Sequence, residues 1–154
     1  MSVPPISPDD VFEHITGTFA GVVPKSTWGE TAFFYNPGMA LKNGTYFATI
    51  KEKDGDNDRA SNLDREGSWR LNMGVRKETF VSLFGPPPKR PGKGQIIEGP
   101  WDFAMSDQIM PHPVYGWMGW LAVISPTLST WDQCKALIGD AHERAKATFE
   151  KRVK

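Results

Sequence analysis

Trp69-Arg70-Leu71-Asn72-Met73-Gly74-Val75 sets four large apolar side chains at alternate positions against Arg70, Asn72 and Gly74. A period of two marks a strand with one buried face and one polar face. Such a sheet needs a covering layer on its dry side, and the sequence supplies helices at both ends. Ser7-Pro8-Asp9-Asp10 is a helix start, with Ser7 as N-cap, Pro8 in the first helical position and acidic residues in the first turn. Val11, Ile15 and Phe19 follow at four-residue steps up to Gly21, giving that helix an inward face. Near the other end, Ser129-Thr130-Trp131-Asp132 offers a cap, and Cys134, Ile138, Ala141, Ala145 and Phe149 share one side of a final helix.

Further strands lie between these helices. Thr31 to Tyr35 is β-prone and stops at Asn36-Pro37-Gly38; Thr45 to Lys51 sets Tyr46, Ala48 and Ile50 against Thr45, Phe47 and Thr49. The two are expected to pair antiparallel, with Asn43-Gly44 as a turn in the connection. Arg76 to Phe84 reads as a short helix closed by Gly85, and Pro86-Pro87-Pro88 cannot continue it. A Pro/Gly-rich loop over 86–101 follows, and Gly116 to Ile124 is the last long strand. The order α-β-β-β-α-β-α segregates its elements, so the expected fold is a single α+β domain whose mainly antiparallel sheet carries the N- and C-terminal helices. Residues 1–6 are expected to be a flexible lead-in and 150–154 a frayed end.

With 154 residues, the chain can bury a core without a staple, and its single cysteine excludes an internal disulfide. No apolar run approaches a membrane span, and the Met1-Ser2-Val3-Pro4-Pro5 start lacks the features of a secretory signal. A cytoplasmic protein, monomeric or homodimeric, is the expectation. Eighteen basic and eighteen acidic residues cancel, which argues against a nucleic-acid partner, although Lys89, Arg90, Lys93 and the C-terminal Lys146, Lys151, Arg152 and Lys154 form local basic groups.

Chemistry concentrates in Met110-Pro111-His112-Pro113-Val114-Tyr115-Gly116-Trp117-Met118-Gly119-Trp120. The flanking prolines hold His112 on an extended frame. Asp107 is the candidate carboxylate to orient its imidazole, and Tyr115 a candidate stabiliser of developing charge, which would make His112 an acid or base. Trp117 and Trp120, three apart in an expected strand, would face opposite ways, one in the core and one free to stack on a planar ligand. Arg70 offers a fork for a carboxylate or phosphate, and Asn72 stands beside it on the polar face. No serine, cysteine or lysine announces itself as a nucleophile, and a histidine between prolines is often a turn residue serving backbone groups.

Other motifs are weaker. Asp54, Asp56 and Asp58 imitate the first positions of a calcium loop, but Arg59 stands where the glycine is needed and Arg65 where the closing glutamate is needed. His14 and His142 lack ligand-spaced partners and read as helix-flank residues, and Cys134 lies on an apolar helix face where a thiol stays inert. No metal and no cofactor is expected. Pro86 to Gly94 reads as a mobile surface connection.

Tyr46-Phe47-Ala48-Thr49-Ile50, Ser61-Asn62-Leu63-Asp64-Arg65, Arg70 to Val75, Thr79-Phe80 with Leu83-Phe84-Gly85, and Met110 to Trp117 together resemble the DUF6194 family of uncharacterised small proteins, from about Pro8 to Ala145. The element order is similar, more faintly, to the MmcQ/YjbR group, whose fold has been linked to a double-wing type of DNA binding. The first resemblance implies a fold and a common site around His112 but brings no established reaction, and the second is an analogy of fold alone. Three functions are in play: a pocket near His112 for a small, partly planar or anionic ligand; a cofactor-independent isomerase, lyase or hydrolase using His112; and a nucleic-acid module.

Overall fold

A computed structural model describes residues 6–27 and 29–154. The chain runs α1 (Pro8–Thr18), β1 (Val22–Thr27), β2 (Glu30–Tyr35), β3 (Thr45–Lys51), β4 (Arg70–Gly74), α2 (Lys77–Phe84), β5 (Met110–Pro111), β6 (Trp120–Ile124) and α3 (Leu128–Val153). The six strands form one sheet in the order β1-β2-β3-β4-β6-β5, every neighbouring pair antiparallel. The fold is α+β. Its element order differs from the expected one by two strands, β1 and β5.

The dry side is built as the alternation in β4 requires. Leu71 and Met73 oppose Ile50 and Ala48 on one flank and Val123 and Leu121 on the other. All six join Val11 and Ile15 of α1, Phe80 of α2, and Trp131, Cys134, Ile138, Ala141 and Ala145 of α3 in one buried cluster. Ser7 caps α1 through a reciprocal box with Asp10. The last helix begins at Leu128, earlier than the Ser129 cap expected from sequence, with Thr127 as its N-cap residue. It is helical to Val153, and Arg152 is tied to the Gly44 carbonyl and the Thr45 hydroxyl. Of the expected flexible start, residues 1–5 lie outside the described residues, while Ile6 packs against the core.

Two local departures reshape the faces. Between β2 and β3 the register slips, Phe33 opposing Ala48 and Phe34 opposing Tyr46, so Phe47 is the extra residue of a bulge. Phe47 therefore shares the helix side with Ala48, where it meets Phe19 and His142, and Tyr46 turns to the opposite face beside Phe34 and Trp120. The simple alternation expected over 45–51 fails at this point. His142 is likewise no flank residue: it is 7% exposed, packed among Phe19, Tyr35 and Phe47, and its Nε2–H donates to the Ala20 carbonyl.

The second departure is in the expected strand over 116–124. Gly116–Met118 is a 3-10 turn, Gly119 takes φ 90°, and extended pairing starts only at Trp120. The 86–101 connection has no regular structure, but it is anchored. Ile97 is buried with Phe103 and Met110 in a second cluster, its N–H bonds the Pro113 carbonyl, and Arg90 lies 4.6 Å from the centre of the Trp117 ring.

A pocket on the polar face of the sheet

The polar side of β4 does not meet water. Arg70 is 1% exposed, beneath the segments that carry Asp58, Ser61 and His112. A guanidinium has five N–H donors, and all five are used. Nε bonds Asn72 Oδ1 at 2.7 Å; Nη1 bonds Asp58 Oδ1 and Ser61 Oγ, each at 2.9 Å; Nη2 bonds Asp58 Oδ2 and meets His112 Nε2 at 3.0 Å. Arg70 and Asp58 form a forked ion pair, and the fork expected to hold a ligand anion is already occupied. Burial pushes the Asp58 carboxyl up, but the Arg70 bonds and charge outweigh it and hold the group below its ordinary value.

His112 is 2% exposed, and both ring nitrogens face donors. Arg70 donates to Nε2, and the backbone N–H groups of Val114 and Tyr115 each lie 3.0 Å from Nδ1. The bend after Pro113 folds those two amides back onto the ring. Burial first, and the Arg70 charge second, hold the imidazole well below its ordinary pKa, against the pull of Asp58. It is a neutral acceptor that pins the 112–115 turn to the Arg70 network.

Asp107 is not the carboxylate of this histidine. Its two oxygens accept from the Thr127 N–H at 2.7 Å and the Thr127 hydroxyl at 3.2 Å, so it caps the start of α3, and Asp58 holds the place beside His112, 3.9 Å from Nε2. The calcium-like aspartates are dispersed: Asp54 accepts from the Leu63 N–H, Asp56 is paired with Arg59, and Asp58 belongs to Arg70.

Over this network lies a pocket of about 270 Å³ lined by Glu30, Ala32, Phe34, Tyr46, Thr49, Asp58, Asn72, His112, Tyr115 and Trp120. Its wall is aromatic. Trp120 stacks on Tyr46 with centroids 5.2 Å apart and planes 29° apart, Phe34 lies 5.9 Å from Tyr46, and Tyr115, exposed at the mouth, sits 5.0 Å from the His112 ring. Its floor is polar, with Asn72 Nδ2 donating to Thr49 Oγ1 at 2.8 Å. Gly74 opposes Trp120 across the β4–β6 pair, and a Cβ there would come within 2.6 Å of the indole. The glycine makes room for the wall.

Of the residues expected at the site, Asn72, His112, Tyr115 and Trp120 line the pocket, Arg70 supports it from beneath, Trp117 stands under Arg90 outside it, and Asp107 belongs to α3. Sequence reading missed Asp58, Thr49, Tyr46, Phe34 and Glu30. Tyr46 could have been found only by placing the bulge, and nothing local in the sequence couples Asp58 to Arg70.

The profile of a family of unknown function, DUF6194, matches residues 6–154. The chain belongs to the DUF6194 family. No curated protein and no solved structure matches this DUF6194 chain. The motif segments by which it resembles the family, Arg70 to Val75 and Met110 to Trp117, include both halves of the Arg70–His112 contact. No helix among the described residues of this DUF6194 protein is long and apolar enough to cross a membrane.

Proposed function

We propose that this protein binds a small planar molecule in the pocket between Tyr46, Trp120 and Tyr115, with ring N–H groups directed at the carboxylates. The observation that carries this reading is an aromatic wall standing over a polar floor whose members are already fixed by one another. Binding sites are usually mostly apolar clefts with a few placed polar groups, and preorganised groups lose little freedom on binding. A volume of about 270 Å³ suits a ligand of one or two rings. Glu30, 3.7 Å from Lys51 Nζ, and Asp58, forked by Arg70, keep acceptor lone pairs on the lining that favour N–H donors over an anion at this position, and the Thr49 hydroxyl keeps a hydrogen to donate. An acid-base role for His112 has less support, because each ring nitrogen would have to give up an existing bond to take part in proton transfer.

Titration with benzimidazole, with cyclohexanol as the non-planar control, tests the reading through tryptophan emission and melting temperature. At ten times its dissociation constant a ligand adds about 1.4 kcal/mol, which for a chain of this size is roughly 3–6 °C. The expected result is a shift with benzimidazole alone, lost in Trp120→Leu. No change in emission or melting, or an equal response to cyclohexanol, rejects the reading.

A further inference from the structure

We infer that the recess on the far side of the Tyr46–Trp120 stack is a phosphoryl-binding site that receives the anionic substituent of the pocket's planar ligand. That recess, about 210 Å³, shares Tyr46 and Trp120 with the pocket and is otherwise lined by residues that include Thr45, Arg144, Thr148 and Arg152. Arg144, Thr148 and Arg152 recur every four residues along α3 and so form one stripe of the helix. Arg144 donates from Nε to the Gly74 carbonyl and from Nη2 to the Tyr46 carbonyl at 3.1 Å. Arg152 donates from Nη1 to the Gly44 carbonyl at 2.7 Å and to the Thr45 hydroxyl at 3.3 Å.

These partners are neutral, so the hydrogen bonds fix the two guanidiniums without cancelling their charge. Among the described residues neither arginine forms an ion pair, and no carboxylate lines the recess. Asp140, one turn before Arg144 on α3, is engaged by Arg76 and Thr79. Arg144 Nη1 and Arg152 Nε and Nη2 have no hydrogen-bond partner among the described residues. Together with the Thr45 and Thr148 hydroxyls they offer more donors than one carboxylate can accept in the plane of its two oxygens, and a phosphoryl group with three oxygens fits better. The two sides of the aromatic stack differ in charge: a neutral imidazole and carboxylates each paired with a cation on one side, guanidiniums without an ion-pair partner on the other. A planar ring bearing N–H groups and a phosphate matches that division of charge.

The identity of the ring rests on the pocket reading, whereas the anion site stands on its own residues. Calorimetric titration of the whole chain at low salt with inorganic pyrophosphate, inorganic phosphate, phenyl phosphate and phenol separates the two. Pyrophosphate and phenyl phosphate are expected to bind, each weakened about tenfold or more by Arg152→Gln, with phenol unaffected. Arg152 is the preferred variant because Arg144 also ties together Gly74 and Tyr46, and Arg152→Lys should recover part of the loss by restoring the charge without the fork. Absence of pyrophosphate binding, or binding that Arg152→Gln leaves unchanged, overturns the anion site whatever phenol does. Pyrophosphate binding lost in Arg152→Gln, with phenyl phosphate no tighter than inorganic phosphate and phenol silent, supports the anion site and rejects the ring pocket.

Discussion

Arg70 is the residue whose environment governs the polar face. Removing one partner of a buried ion pair leaves an uncompensated charge, so Asp58→Asn is expected to cost about 3–5 kcal/mol in urea unfolding, far more than a surface pair would. His112 adds a pH dependence whose sign follows from its depressed folded-state pKa. The unfolded chain takes up a proton as pH falls through the ordinary histidine value of 6.5, whereas the buried imidazole does not, so stability is full above that pH and declines below it. His14 and His142, also lowered chiefly by burial, titrate in the same direction. His112→Asn should flatten the slope by up to about 1.4 kcal/mol per pH unit between pH 6.5 and 5, measured by denaturant unfolding at a series of pH values. A slope unchanged by the substitution would mean that the imidazole is charged in the folded chain.

Among the elements, β4 and α3 each depend on one residue far away in sequence. A Cβ on Gly74 would lie 2.6 Å from the Trp120 ring and 2.9 Å from Arg144 Nη2, so Gly74→Ala is expected to displace the indole. The cost should be about 1–3 kcal/mol, accompanied by altered near-ultraviolet circular dichroism and loss of the pocket wall. Asp107→Ala removes the cap that reaches α3 from another segment and should cost about 1 kcal/mol in thermal unfolding, leaving emission from the pocket unchanged. The elements that were legible from sequence are those with a clean period: α1, β4 and the buried stripe of α3. Val22–Thr27 escaped notice because Pro24 and Lys25 interrupt any β pattern, and a border strand tolerates both. The 116–118 turn hid inside a run of strand-forming residues because Gly119 supplies a left-handed residue at no steric cost. His112, Tyr115 and Trp120 were legible as neighbours from their crowding in one segment, and Asn72 from its place on the polar face of β4. The Asp58–Arg70 pair was not, since its partners are brought together only by the path of the 52–69 segment over the sheet.

For the molecule as a whole, the single cysteine is a reporter. Cys134 is fully buried, and burial pushes its thiol up to about 12. Labelling by a disulfide reagent at pH 8 should therefore proceed only as fast as the chain opens, and destabilising variants such as Asp58→Asn should accelerate it. Fast labelling of the folded chain would show that α3 detaches independently. The two borders of the sheet have a different bearing on how copies of the chain meet. The backbone bonds Asn36 N–H to Gly21 carbonyl and His112 N–H to Trp120 carbonyl set the ladder phase on β1 and β5. With Pro24 three positions from Gly21 and Pro111 one from His112, both proline nitrogens fall on the outward side. A strand arriving from another molecule finds an amide missing at each border, and at one of them only two residues of strand to pair with. Fibre growth by edge addition is thus disfavoured at both ends of the sheet.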